Sequence, residues 1–385
     1  NGDLYLEKFI GSMRHLEVQI IRDMHGNSKL LGIRDCSVQR NYQKLIEETA
    51  SGIPKNIKEQ VYDYAGKLID EIDYIGAGTV EFIYDLDEKC VYFMEMNTRL
   101  QVEHPVSEMV SGTDLVRLQF EVTQGHDIGE LDFKLNGHAI ELRVIAEKIV
   151  LDDEGELRFV PDPGHVTEVF FPEKANVRVI QTVTSGSIVS PFYDSLIAQI
   201  ICWGKSRKEA INSLLNYLKR VRIHGVSTNL ALNRMILQDP AFQKGRFSTK
   251  YLVDLFERID EKKLLSDAQK DSGTSKSAVD QKAIMLEGSD ELKVLSPQMG
   301  GFYRAASRED EPFVIEGQII DVNHSLCLLE SMKVFTELSL ADYKSPEGEA
   351  LYPDDVKYKV TRVIAEDQNT VNQGDLLFVM QPVDA

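Results

Sequence analysis

Gly78-Thr79-Val80-Glu81-Phe82-Ile83-Tyr84 and, seven residues on, Val91-Tyr92-Phe93-Met94-Glu95-Met96-Asn97 decide the fold of the N-terminal body. Both runs are apolar enough to be buried strands, and each is interrupted by one acid. Side chains alternate faces along a strand, so Glu95 and Asn97 point the same way; with a turn near Glu88, Glu81 faces Glu95 across the hairpin. Two carboxylates and an amide brought together in an apolar setting repel unless a cation sits between them. Hard oxygen ligands of this kind suit Mg²⁺ bridging nucleotide phosphates. The spacing alone fits equally well two partly exposed acids on the solvated face of an edge hairpin.

Directly after the second strand, Asn97-Thr98-Arg99-Leu100-Gln101-Val102-Glu103-His104-Pro105 packs an Arg, a Gln, a Glu and a His together, where a rigid scaffold usually presents its chemistry. Upstream stand Arg34-Asp35-Cys36-Ser37-Val38-Gln39-Arg40 and Gln43-Lys44. Taken singly, Lys44 reads as solvated, Arg178 as a surface strand arginine, and His15 and His104 as ordinary hydrogen-bonded histidines. Around them, segments alternate. Arg14 to Arg22 reads as a strand. Asn56 to Ile72 reads as a helix with Ile57, Val61, Tyr64, Leu68 and Ile69 on one face. Ser206-Arg207-Lys208-Glu209 is a capping box opening a helix that buries Ile211, Leu214, Leu215, Leu218 and Val221. The pattern is α+β with antiparallel pairing.

A chain of 385 residues with 43% hydrophobic content holds two or three domains with a sizeable core. A net charge of −19 argues against a nucleic-acid surface or an anionic membrane as partner. Cysteines 36, 90, 202 and 327 form no metal-type pairs and no disulfide framework, which suits a reducing compartment. The opening Asn1-Gly2-Asp3 lacks methionine and leads straight into strand-like Leu4-Tyr5-Leu6, as if cut from something longer.

Near the other end, Glu330-Ser331-Met332-Lys333 sits between apolar Leu326 to Leu329 and Val334 to Leu338, placing Lys333 at the tip of a tight hairpin as a handle for a covalently carried group. Val322-Asn323 with Leu326 to Leu329 recurs as Val371-Asn372 with Leu376 to Val379, one hairpin in each half of a repeat. Ser266 to Ser275 has the small, polar composition of a flexible linker. Tyr343 to Tyr358 is a long connection that projects as a loop.

On these residues two resemblances stand. From about Leu295, the Ser-Pro…Gly…Phe-Tyr-Arg stretch and the Met332-Lys333 pair resemble the biotin carrier (biotinyl) domain of acetyl-CoA carboxylases. From Leu4 to Leu255 the chain resembles biotin carboxylase, an ATP-grasp enzyme. The motifs are Arg14-His15-Leu16-Glu17, the Glu95 to His104 block, Phe159-Val160-Pro161-Asp162-Pro163-Gly164 and Tyr193-Asp194-Ser195-Leu196. The resemblance implies an α+β ATP-grasp body followed by a flattened all-β biotinyl barrel. Its units would be 1–129, the C-terminal half of an ATP-grasp domain without its N-terminal domain and Gly-rich lid; 130–260, the biotin carboxylase C-terminal domain; 261–290, a linker; and 291–385, the carrier.

By that resemblance Glu81, Glu95 and Asn97 hold Mg²⁺ or Mn²⁺ on ATP, and Glu7, Lys8, Ile10, His15 and Gln39, with Glu81 and Glu95, line the nucleotide site. Lys44, Arg99, Gln101 and Val102 surround bicarbonate, Glu103 is the general base, Arg178 steadies the charge on biotin's ureido oxygen, and Lys333 carries the biotin. The implied function is ATP-dependent carboxylation of lysine-linked biotin by bicarbonate through carboxyphosphate, as part of a cytoplasmic acetyl-CoA carboxylase in fatty-acid synthesis. Implied partners are a carboxyltransferase, a biotin protein ligase and a second copy in a homodimer. Three departures, Tyr42 where His is usual, Ile145 where Asn is usual and the missing lid, favour the alternative of an inactive carrier and scaffold. A third reading is a carboxylase for another acyl-CoA such as propionyl-CoA.

Overall fold

The computed structural model describes Leu4 and residues 8–152, 155–273, 291–307, 309–332, 334–343 and 350–383. Glu7, Lys333, linker residues 274–290 and residues 344–349 of the long connection lie outside the described residues.

One antiparallel sheet carries the body. Its strands are β1 (Met13–Arg22), β2 (Ser28–Arg40), β3 (Gln43–Thr49), β4 (Gly76–Asp85), β5 (Val91–Asn97), β6 (His138–Ile145), β7 (Val177–Gln181) and β8 (Leu196–Gly204), in the order β7-β8-β6-β3-β2-β1-β4-β5. Because β6 pairs with β3, the sheet runs unbroken from residues 1–129 into 130–260. Alternation divides its two faces. Leu16, Val18 and Ile20 of β1 pack with Ile57, Val61, Ala65 and Ile69 of α1 (Lys55–Glu71), whose apolar residues recur every fourth position. Tyr64, expected on that face, is instead exposed. The odd positions of β1, His15, Glu17 and Gln19, lie on the side covered by α2 (His104–Ser111), while α3 (Leu115–Thr123) packs beside it on Ile21, Leu31 and Ala77.

Helix α4 (Arg207–Leu218) starts as its capping signal predicts: the Ser206 hydroxyl accepts from the Glu209 N–H at 3.3 Å, although the Glu209 carboxylate reaches back to the Lys205 N–H. The first part of the expected linker is helical. Glu261–Ser272 is a helix, α6, capped by Asp260 on the Lys263 N–H, and it buries Leu264 and Ala268 one turn apart, against the core that also holds α5 (Leu230–Gln238). Two apolar anchors suffice for a helix that has a core to lie on.

The C-terminal part is all β: β9 (Leu292–Leu295), β10 (Gly300–Tyr303), β11 (Ile319–Ile320), β12 (Cys327–Ser331), β13 (Val334–Leu338), β14 (Lys357–Val363), β15 (Thr370–Val371) and β16 (Leu376–Val383). They form two four-stranded antiparallel sheets, β9-β16-β14-β11 and β13-β12-β10-β15, sharing a core in which Phe302 and Phe378 lie 5.7 Å apart. The expected barrel is not closed among the described residues, since each sheet ends on a two-residue strand too short to carry a joining ladder. The repeat does place one hairpin strand, β12 or β16, in each sheet. The long connection is anchored where it is described: Tyr343, Leu351, Tyr352 and Tyr358 are buried, with Pro353, Asp354 and Asp355 exposed between them, and the Tyr343 and Tyr352 hydroxyls donate to the Leu295 and Lys293 carbonyls at 2.5 and 2.6 Å.

The two parts touch. Met332, at the tip of the β12–β13 hairpin with φ +52°, donates its N–H to the Pro191 carbonyl at 2.5 Å, and its side chain joins the core of the body.

Candidate active site

Strands β1 to β4 and β6 deliver charged side chains to the face beneath α2. Glu17, on β1, is fully buried between Arg34 of β2, whose Nη2 donates to Oε2 at 3.1 Å, and Lys44 of β3, which donates to Oε1. Lys44 also donates to Glu103 Oε1 at 2.6 Å and lies 4.0 Å from Glu81 Oε1. Glu103, the residue before α2, receives Arg143 Nη2 of β6 on its other oxygen at 3.1 Å, and Arg143 Nε donates to Glu47 Oε1 at 2.5 Å. Arg34 ties the sheet to the helix above it through Gln19, Thr79, Gln101 and Ser107 at 2.8 to 3.3 Å. A buried charge is tolerable only when paired and hydrogen-bonded, and alternation of sign gives each of these charges at least one opposite partner.

The surroundings bias each group. Burial pushes the Glu17 carboxyl up, but Lys44 and Arg34 outweigh it and hold it at about 2. Burial likewise opposes the Lys44 ammonium, which Glu17, Glu103 and Glu81 keep charged far above neutral pH. The Cys36 thiol is pushed well above its usual value by burial, so it stays protonated among these charges. Glu81 is lowered despite burial because His15 donates to it at 2.5 Å and Lys44 lies close; His15 is correspondingly raised despite its own burial.

Glu81 lies opposite Glu95 in the β4–β5 register, as the hairpin reading requires. The Asn97 amide donates to Glu81 Oε1 at 2.7 Å and to Glu95 Oε1 at 3.0 Å, so the two carboxylates converge on one donor. A divalent cation suits that place: two carboxylate oxygens already converge there, and a turned Asn97 amide adds a third oxygen.

Other predicted residues scatter around this centre. Gln101 donates to Glu81 at 2.5 Å and belongs to it. The Val102 carbonyl accepts from Gln199 of β8 at 2.7 Å, and Arg99 is exposed, bonded only to the neighbouring Leu100 carbonyl among the described residues. Gln39 sits opposite Lys44 in the β2–β3 register. Lys8 stands at the far end of the hairpin on Glu88 and Tyr92, and Ile10 is half-buried with no described polar role. His104 shapes the turn by bonding the Gln101 carbonyl at 2.7 Å.

Arg178 is not brought in. It lies on the sheet-edge strand β7 and donates to Glu108 of α2 at 2.5 Å, with 43% of its side chain exposed. The arginine the fold sets against Glu103 is Arg143, two residues before Ile145, to which the sequence assigned no role. Glu17, Arg34, Glu47 and Glu141 were missed as well. Their shared signal was a charged residue at alternate positions of otherwise apolar strands.

The fold and this array define a class, the α+β ATP-grasp fold of biotin carboxylase type. Residues 1–131 match the family model described as carbamoyl-phosphate synthase L chain, ATP binding domain, and residues 141–254 match the biotin carboxylase C-terminal domain. Through these residues the chain belongs to the biotin carboxylase family. It is 43% identical to biotin carboxylase 1 of Bacillus subtilis over 255 residues, 66% of this chain and 55% of that one. Among solved structures it is similar to the biotin carboxylase–βγ-ATP complex of Campylobacter jejuni (TM-score 0.60, 38% identity, 64% of this chain and 54% of that one). It is also similar to the biotin carboxylase domain dimer of Hydrogenobacter thermophilus 2-oxoglutarate carboxylase in complex with MgADP, ADP and bicarbonate (TM-score 0.60, 36%, covering 66% and 56%). The chain spans about half the length of the curated relatives it matches. Among the described residues no helix is long and apolar enough to cross a membrane.

Proposed function

We propose that the chain is part of an enzyme that carboxylates biotin with bicarbonate at the expense of ATP, its 291–385 part acting as the carrier with biotin on Lys333. The observation that carries this reading is Glu103 held between Lys44 and Arg143, in a buried array that also contains Glu81 of the paired carboxylates. Bicarbonate lies against Lys44, Gln101, Val102 and Arg99. Glu103 takes its proton, and the resulting carbonate attacks the γ-phosphorus as the bond to the bridging oxygen breaks and ADP leaves, giving carboxyphosphate; an anion approaches an anion, and fixed cations must offset the repulsion. Mg²⁺ held by Glu81, Glu95 and Asn97 would supply charge neutralisation on the phosphates. The role that sequence resemblance gave to Arg178, steadying the developing charge on the ureido oxygen, passes to Arg143, because a guanidinium fixed at its Nε by Glu47 presents its remaining donors with defined geometry.

Two of the three departures that favoured a scaffold, Tyr42 and Ile145, have structural explanations. Asn41 and Tyr42 have φ of +48° and +64°, forming the two-residue turn between β2 and β3, and Tyr42 is 95% exposed. Ile145 is core. The acceptor follows less directly: the carrier's Phe302-Tyr303-Arg304 favours acetyl-CoA, while pyruvate or 2-oxoglutarate carboxylation uses the same half-reaction.

The test is bicarbonate-dependent ADP release by the full-length polypeptide, with the Lys333 peptide mapped for a biotin adduct. Glu103→Gln should lower the rate at least about 100-fold, the size expected of a positioned general base; a rate independent of bicarbonate, or one unchanged by the substitution, sinks the reading.

A further inference from the structure

Behind Arg143 lies a pair of acids of which only one oxygen, the Glu47 oxygen that holds Arg143, has a role in the proposed chemistry. Glu47 of β3 and Glu141 of β6 are register partners on adjacent strands and both are fully buried. Opposite residues of an antiparallel pair have Cβ atoms about 5 Å apart, close enough for their carboxyls to meet. One oxygen of each is bonded, Glu47 Oε1 by Arg143 at 2.5 Å and Glu141 Oε1 by the Gln199 amide at 2.7 Å. The other oxygen of each, Glu47 Oε2 and Glu141 Oε2, is buried without a hydrogen-bond partner among the described residues. Two facing carboxylates each with an orphaned oxygen cannot both be ionised at reasonable cost, whereas one proton between those oxygens satisfies both at once.

We propose that Glu47 and Glu141 share a single proton, Glu141 donating an O–H···O bond to Glu47. The pair is then singly charged, and that charge is spent on Arg143 Nε. Glu141 becomes a positioning residue that acts through Glu47 and Arg143 on one side and through Gln199 on the Val102 carbonyl on the other. Around the site stand the carboxylates Glu17, Glu47, Glu81, Glu103 and Glu141 against the permanent cations Arg34, Lys44 and Arg143, so the shared proton removes one surplus negative charge from a place that must admit an anion.

The charged and titratable groups facing the pair are Arg143 on β6, Lys44 on β3, Glu103 before α2 and the protonated Cys36 thiol on β2; from β8 the Gln199 amide reaches it. Burial raises Glu47 to about 7 and raises Glu141 well above the carboxyl range, the latter reinforced by Glu47. A carboxyl raised by folding contributes stability below its unfolded pKa and loses it as pH climbs through the folded one, so the share from Glu47 fades from about pH 4.5 and is gone above about pH 7.

The role assigned to Arg143 rests on the function proposed above, but the proton does not, and the experiment reads the proton directly. Infrared spectra of the full chain in D₂O at pH 7 should contain a protonated-carboxyl C=O band that Glu141→Gln removes and Glu108→Gln leaves in place. No such band in the native chain, or a band that survives Glu141→Gln, overturns the proposal. Should the glutamine variant not fold, the native band is followed with pH: persistence above pH 6 and loss at alkaline pH supports the shared proton, and loss below pH 5 overturns it. In the carboxylation assay the alkaline limb of the pH–rate profile should move up by about one pH unit in Glu141→Gln, a shift that a merely structural role would not give; an unmoved limb overturns the positioning role alone.

Discussion

Arg143 and Arg178 share a residue type and a strand context, and only the fold separates them. Arg143 stands between Glu47 and Glu103, whereas Arg178 is held by Glu108 at the sheet edge. Arg143→Met should therefore lower carboxylation of biotin by about 100-fold or more, the size of losing one aimed electrostatic donor, while Arg178→Met changes it by less than about fivefold. Steady-state assays of both variants check this, and the reverse order would restore the sequence assignment. The Glu81–Glu95 pairing was legible from the chain because strand alternation and one short turn determine it. Arg143, Glu17 and Arg34 were not, because their partners come from strands up to about a hundred residues apart and no local period gives the order β6-β3-β2-β1-β4.

At the scale of elements, local signals worked where burial follows them. The helix period of α1 and the Ser206 cap of α4 placed those helices correctly. Composition failed at α6, whose polar residues read as a tether; its two buried anchors become visible only when a core is present to receive them. Helix α4 is pinned from the sheet side by Glu48, which accepts from Arg207 at 2.6 and 2.9 Å and from His138 at 2.7 Å. Burial pushes Glu48 up, but these two partners outweigh it and leave its pKa below the ordinary value. A lowered carboxyl contributes stability above its unfolded pKa of about 4.5 and loses it as pH falls. Glu48→Gln should then cost about 3 kcal/mol at pH 7, and the gap from the native chain should close toward pH 4. Urea unfolding at the two pH values measures it, and a gap that stays constant with pH would show that Glu48 acts without its charge.

For the molecule as a whole, the contact between the two parts among the described residues is one hydrogen bond from Met332 to Pro191 and one methionine side chain in the core of the body. Met332→Asp places a charge in that core and should free the C-terminal part. Its backbone amides should then show faster tumbling than those of the body in NMR relaxation, with little change in unfolding of either part. Common tumbling in both proteins would mean that other contacts hold the parts together. Nothing in the sequence announced this contact, because it joins a turn to a loop more than a hundred residues away.

The two-residue turn at Asn41-Tyr42 has a further consequence. Its left-handed backbone closes the β2–β3 ladder on the Arg40–Gln43 pair, so Lys44, opposite Gln39, projects from the next rung, two residues from the turn. Such a hairpin cannot slide: inserting one residue into the turn would move Lys44 off its rung while the strands behind it stayed in register. The reach of the one lysine that touches both Glu17 and Glu103 is thus set by loop length, and evolution can detune it by insertion without altering any residue of the charged array.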